Sequence, residues 1–86
     1  MPKVKVGSFR AARVSGLLHK LERDQAVPLD LRTNAGYWAR AMARRMDRRD
    51  LQTVAWLLLS ASGERRVPFT YRRNARHLAT YLEGRI

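Results

Sequence analysis

The chain has 86 residues, no cysteine and a formal net charge of +11, with 18 Lys and Arg against 7 Asp and Glu. Its length suits a single domain, residues 1–86, and the lack of cysteine excludes disulfides, thiolate zinc sites and a cysteine nucleophile. Residues 1–6 are basic but are not followed by the apolar run of a signal peptide, and the longest uncharged run, 51–63, is too short to cross a bilayer. We therefore expect a cytoplasmic protein with no membrane partner.

The first predicted helix spans residues 9–24 and follows a basic arm at 1–8, with Ser8 as its capping residue. A second helix is predicted over 31–47, where Asp30 is a suitable N-cap. Both helices show the apolar spacing of a buried face. The positions concerned are Val14, Leu17, Leu18 and Leu21 in the first helix, and Leu31, Ala35, Trp38, Met42 and Met46 in the second.

The third predicted helix spans residues 51–62, with Asp47 or Asp50 as its cap and Gly63 as a left-handed residue that ends it. This helix carries no cation and is apolar nearly all round. Such a helix lies at the centre of a bundle or forms half of a dimer interface. We favour central burial, and a homodimer through the Trp56 helix is the alternative.

The fourth predicted helix, 71–84 with Thr70 as its cap, belongs to a second copy of the first hairpin. A shift of 40 positions aligns residues 12–46 with 52–86 without a gap, and 10 of the 35 positions are identical. The identical pairs are Val14/Val54, Leu17/Leu57, Leu18/Leu58, Val27/Val67, Pro28/Pro68, Arg32/Arg72, Asn34/Asn74, Ala35/Ala75, Ala39/Ala79 and Arg45/Arg85.

The expected fold is therefore all-α, a four-helix domain built from two tandem helical hairpins with pseudo-twofold symmetry. Each hairpin is one copy of an internal repeat of about 40 residues, which would have arisen by duplication. Two units are too few for a solenoid, which needs at least about three repeats. We expect a compact bundle in which each hairpin buries the apolar face of the other.

The surplus of positive charge predicts a polyanionic partner, DNA or RNA, contacted mainly at its phosphates. In the predicted second helix, Arg40, Arg44 and Arg48 share an outward face at i, i+4 and i+8, a spacing that suits a phosphate-contacting helix. A related face is predicted on the fourth helix. The full set of candidate nucleic-acid-binding residues is Tyr37, Arg40, Arg44, Arg45, Arg48, Arg49, Arg65, Arg66, Arg72, Arg73 and Arg76.

Other interpretations stay open at this point. The basic faces could simply be solvated, or the chain could be a protein-interaction module, such as a phage or mobile-element adaptor or inhibitor, that docks an acidic surface. The repeated motif around Asn34 and Asn74 is best explained structurally, with the Asn bonding the preceding loop and the Arg stem covering the core edge. No catalytic residue, cofactor or metal site is predicted, because the acids are scattered and His19 and His77 have no ligand partner at metal-binding spacing.

Overall fold

The computed structural model describes residues 8–85, and the side chains of residues 11–85. This part of the chain forms four α-helices and no strand: α1 (Ser8–Arg23), α2 (Leu29–Ala41), α3 (Arg48–Gly63) and α4 (Phe69–Arg85). The predicted all-α fold of four helices is confirmed. The predicted basic arm, residues 1–8, lies outside the described residues except for Ser8, whose side chain is not described. Ile86, the last residue of the predicted apolar stripe of the fourth helix, also lies outside them.

The helices pair as two hairpins, α1 with α2 and α3 with α4. The two hairpins then meet through α1 against α4 and through α2 against α3. Exchanging one hairpin for the other leaves this set of contacts unchanged, which is what a pseudo-twofold arrangement requires.

The loops inside the two hairpins have the same hydrogen bonds at positions 40 residues apart. The amide of Val27 donates to the Asp24 carbonyl at 3.1 Å, and the amide of Val67 donates to the Glu64 carbonyl at 3.0 Å. In each hairpin the proline carbonyl then accepts the first bond of the next helix, at 2.9 Å in the first and 3.0 Å in the second. The loop is therefore the most closely repeated element of the structure.

The second helix of each hairpin, α2 or α4, begins two residues earlier than predicted, so the expected caps Asp30 and Thr70 are wrong. Pro28 occupies the N-cap position of α2, with φ −55° and ψ 146°, and no side chain caps this end. Asp30 lies inside the first turn, where its carboxylate accepts the Leu31 amide at 2.9 Å. Proline suits this entry because its fixed φ matches the helix and it has no amide to leave unsatisfied. Thr70 likewise lies inside the first turn of α4.

The core is formed by the predicted apolar stripes. In α1, Val14, Leu17, Leu18 and Leu21 are all buried, as the i, i+3, i+4, i+7 spacing predicts. The stripes of α2 and α4 contribute small residues at their centres, because Ala35 and Ala75 are completely buried. A small side chain at these points lets neighbouring helices approach closely. Leu31, Trp38, Met42 and Tyr71 pack against the core edge and stay partly exposed.

The second helix ends at Ala41 and not at residue 47, which is the largest error of the sequence prediction. Residues 42–47 form a turn, and α3 begins at Arg48 with Asp47 as its N-cap. The Asp47 carboxylate accepts the Asp50 amide at 2.8 Å, and the Asp50 carboxylate accepts the Asp47 amide at 3.2 Å. This reciprocal capping box fixes the start of α3. Met46 is buried, so it reaches the core from the turn and not from a helix.

The third helix is two-sided and not centrally buried. Its inner face buries residues such as Leu51, Val54 and Leu58, whereas Trp56 is 66% exposed and Leu59 is 40% exposed. The expectation of a helix without cations is also wrong, since its first turn contains Arg48 and Arg49. Gly63 does not end the helix in the left-handed conformation, because no described glycine has a positive φ.

Candidate functional site

The predicted row of arginines on α2 does not exist as one helical face, because the helix stops before it is complete. Arg44 and Arg45 lie in the turn that follows α2, and Arg48 and Arg49 lie in the first turn of α3. All four side chains are exposed. We call them the turn arginines. They remain close along the chain, but a capped turn and not a continuous helix positions them.

Tyr37 is brought close to two of the turn arginines. A shallow cavity of about 190 Å³ at the end of α2 is lined by Tyr37, Trp38, Ala41, Arg44, Arg45, Met46 and Asp50. The Tyr37 ring is 55% exposed and meets the Trp38 ring edge to face, with centroids 5.1 Å apart. An exposed aromatic ring and two arginines that line one shallow cavity can combine stacking with phosphate contact.

Arg40, unlike the turn arginines, forms an ion pair across the first hairpin, with Glu22 of α1. Its Nη1 lies 3.2 Å from Oε2 of Glu22, and Nδ1 of His19 lies 3.7 Å from the other carboxylate oxygen. The carboxylate reaches α2 over Gly36, where a Cβ atom would overlap it. In the second hairpin the equivalent positions are Ser62, Arg76 and Thr80. The second hairpin therefore has neither partner of this ion pair, and Arg76 stands where the first hairpin has Gly36.

Arg65 and Arg66 lie in the loop between α3 and α4, and they differ in their surroundings. Arg66 Nε lies 3.0 Å from Oε1 of Glu64, and the Arg66 amide donates to the same oxygen at 3.2 Å. These hydrogen bonds hold the pKa of the Glu64 carboxyl below its ordinary value, and the carboxylate raises the pKa of Arg66. Arg65 is exposed and has no such partner among the described residues.

The fourth helix carries the second predicted set along an open groove of about 600 Å³. It is lined by Phe69, Thr70, Arg73, Asn74, Arg76, His77 and Thr80, and we call it the α4 groove. The guanidinium of Arg72 lies to one side, 5.5 Å from the centre of the Phe69 ring. No described contact or cavity joins the α4 groove to the turn arginines, so the predicted residues form two separate surfaces.

The carboxylates of the chain are committed to local structure. Six of the seven make a hydrogen bond or an ion pair near their own position: Glu22, Asp24, Asp30, Asp47, Asp50 and Glu64. Eight arginine side chains, in contrast, have no hydrogen bond, ion pair or ring contact with any residue of 8–85: Arg23, Arg44, Arg45, Arg48, Arg49, Arg65, Arg73 and Arg76. The positive charge therefore stands uncompensated on the surface.

Two grooves that the sequence analysis missed lie where the hairpins meet. One, of about 480 Å³ between α2 and α3, is lined by Asp30, Leu31, Asn34, Trp38, Thr53, Trp56, Leu57, Ser60, Glu64 and Arg66, and we call it the Trp groove. The other, of about 230 Å³ between α4 and α1, is lined by Arg13, Gly16, Leu17, Lys20, Thr70, Tyr71, Asn74 and Leu78, and we call it the Gly groove. Every residue of the Gly groove is the repeat mate of a residue in the Trp groove.

The repeated asparagines line these grooves, so the structural role assigned to them is wrong. Asn34 and Asn74 are exposed, and neither side chain bonds the preceding loop in the described structure. The role assigned to the arginines of the same motif fits better. Arg32 and Arg72 are half-buried, and the Nε atom of each is buried without a hydrogen-bond partner among residues 8–85. A comparison of the repeat mates at 16 and 56 could have located the grooves from the sequence.

Comparisons with protein-family models, with curated proteins and with solved structures found no match for this chain. Within residues 8–85, no three His, Asp or Glu side chains come together in a group that could hold a metal ion. None of the four described helices combines the length and the hydropathy needed to cross a bilayer. The function of the protein therefore has to be inferred from the charge and geometry of its two basic surfaces, the turn arginines and the α4 groove.

Proposed function

We propose that this protein binds nucleic acid, DNA or RNA, and contacts mainly its phosphates through the turn arginines and the arginines of the α4 groove. The observation that carries the proposal is the uncompensated charge. Eight exposed arginines have no partner in the described structure, while six of the seven carboxylates are engaged elsewhere.

The placement of the turn arginines also favours an anionic partner. Arg48 and Arg49 lie in the first turn of α3, where the helix macrodipole disfavours positive charge. The Asp47 and Asp50 carboxylates already cap this helix end, so a phosphate would be held by the guanidinium groups of these arginines and not by the helix amides. Tyr37 adds an exposed ring on which a base could stack. These terms act on any sequence, so we expect binding that is non-specific and strongly salt-dependent.

Three further parts belong to the proposal: an origin by duplication, a cytoplasmic location and action without catalysis. The matching backbone hydrogen bonds of the two hairpin loops support an origin by duplication. The lack of cysteine is compatible with the reducing cytoplasm as the compartment. The chain is proposed to act by binding and not by catalysis.

A pair of double variants tests the assignment of the surface. Arg44→Gln with Arg45→Gln removes two charges from the turn arginines, and Arg40→Gln with Arg66→Gln removes two charges that already face carboxylates. Both variants have the same net charge. We expect the first pair to weaken binding to a mixed-sequence oligonucleotide more than the second, measured by fluorescence anisotropy. Equal losses would mean that affinity follows net charge alone and would reject the assigned surface.

A co-purification experiment separates nucleic acid from an acidic protein as the partner. The tagged protein is recovered from its host with and without nuclease treatment of the lysate. If the partner is nucleic acid, the material recovered without nuclease absorbs at 260 nm, and this material is absent after nuclease treatment. An acidic protein that remains bound in stoichiometric amount after nuclease treatment would support the alternative function instead.

A further inference from the structure

The two grooves between the hairpins differ most at one pair of repeat mates. Trp56 lines the Trp groove with 66% of its surface exposed, and its mate in the Gly groove is Gly16. A Cβ atom added at Gly16 would meet no other atom within 4 Å. One groove therefore carries a large protruding aromatic side chain where the other has an open space.

The open space is large enough for an aromatic ring. The Gly groove encloses about 230 Å³, and a cavity of about 150 Å³ lined by apolar side chains is enough to bind benzene. Its lining includes Leu17, Tyr71 and Leu78, which supply apolar and aromatic surface. A tryptophan side chain buries about 150–250 Å² when it is covered, so its insertion would remove a large apolar area from water.

The charges around the grooves are complementary. Among the residues that line the Trp groove, Asp30 and Glu64 outweigh Arg66 by one negative charge. The Gly groove is lined by Arg13 and Lys20 and by no acid. A phosphate is therefore a poor neighbour for Trp56, whereas a basic surface is a good one. The Gly groove of another molecule offers both the basic surface and the space.

We propose that the protein self-associates head to tail, with Trp56 of one copy inserted into the Gly groove of the next. The contact is heterologous, because the surface that each copy presents differs from the surface that it receives. A dimer formed in this way keeps one unused Trp56, on one copy, and one unused Gly groove, on the other, so the assembly grows into a chain or closes into a ring. The inference goes beyond nucleic-acid binding and does not depend on it.

The test uses purified, nuclease-treated protein in sedimentation velocity at physiological salt, where the Debye length of about 8 Å limits long-range repulsion between basic copies. Trp56→Ala removes the inserted side chain, and Gly16→Leu fills the groove that receives it. Each change is expected to weaken self-association at least about tenfold, the size of effect seen when a central interface tryptophan is truncated. Leu59→Ala and Gly84→Leu, at exposed positions outside both grooves, are expected to associate like the parent protein.

Mixing the two variants gives the decisive result. The Gly16→Leu protein still has Trp56, and the Trp56→Ala protein still has an open Gly groove, so together they should form a 1:1 dimer that neither forms alone. Circular dichroism checks that both variants are folded, and no buried residue is changed in either.

Several outcomes would overturn the proposal. A parent protein that stays monomeric up to about 0.5 mM would exclude a useful contact. If Trp56→Ala abolishes association while Gly16→Leu does not, the interface is a symmetric one between two Trp56 side chains. If the parent is monomeric and Trp56→Ala weakens oligonucleotide binding, the occupant of the Trp groove is a base. In both cases the head-to-tail contact is wrong, although nucleic-acid binding through the arginines is not affected.

Discussion

Leu18 and Leu58 offer a direct test of how the two hairpins share one core. They are repeat mates in α1 and α3, and both are fully buried, with 0% of their surface exposed. Replacing either by Ala removes three buried carbons, worth about 2.4 kcal/mol of transfer free energy at about 0.8 kcal/mol per methylene. The residual cavity raises the cost to about 3–4 kcal/mol of unfolding free energy.

For a domain of this size, such a loss lowers the melting temperature by at least about 12 °C. Thermal and urea unfolding of L18A and L58A, followed by circular dichroism, should show similar losses in a single transition. Leu29→Ala, at a position 68% exposed, is the control and should change stability by less than about 0.5 kcal/mol. Two separate transitions in L18A, or a cost below about 1 kcal/mol for either change, would refute the view that the hairpins fold as one cooperative unit.

Three smaller perturbations test the local interactions. Asp47→Ala removes the cap of α3 and should lower the unfolding free energy by about 1 kcal/mol in urea denaturation, and an unchanged midpoint would show that the cap is not needed. Gly36→Ala displaces the Glu22 carboxylate and breaks its ion pair with Arg40, but the higher helix propensity of alanine offsets this loss. The melting temperature should therefore stay the same or rise, and a clear fall would contradict the expectation. The carboxyl of Glu64 should titrate below about 4.5 when followed by NMR, and Arg66→Gln should return its pKa to the ordinary range. Because folding lowers this pKa, the contribution of the carboxylate to stability is present above about pH 4.5 and is lost as the pH falls through the lowered pKa.

The helical hairpins could be predicted because their signals are local and repeated. The Val-Pro dipeptides mark both loops, and the apolar spacing from Val14 to Leu21 matches the buried face of α1. The cap of α3 could be narrowed to Asp47 or Asp50 from the sequence, and the structure shows Asp47 as the N-cap with Asp50 completing the capping box.

The end of α2 could not be predicted, because nothing in residues 42–46 breaks a helix. Met46 continues the apolar period of α2, yet it contacts the core from a turn, where the spacing has no helical meaning. The sequence offered Asp47 or Asp50 as the cap of α3, but this signal was not used to shorten the preceding helix, so Arg44 and Arg48 were assigned to one helical face with Arg40. The prediction that Gly63 ends the third helix in the left-handed conformation was wrong because glycine permits that conformation but does not require it.

The two grooves depend on how the hairpins pack, which the sequence of a single chain does not specify. The information was nevertheless present in the repeat, because the largest change in size between mates is Gly16 against Trp56. Divergence between otherwise equivalent positions therefore indicated the structural difference between the two grooves better than the repeated motif around Asn34 and Asn74 did.

The salt dependence of nucleic-acid affinity tests the central claim most directly. We would measure binding of the full chain to a mixed-sequence duplex by fluorescence anisotropy between about 50 and 200 mM salt. If the four turn arginines and the two arginines of the α4 groove each contact a phosphate, log K should fall with log salt with a slope of about −5, since each contact contributes about −0.9. Changing all four turn arginines to Gln should reduce that slope by about 3.6. Binding that is undetectable at about 50 mM salt to duplex and to single strands, or a slope that the quadruple change leaves unaltered, would contradict the account.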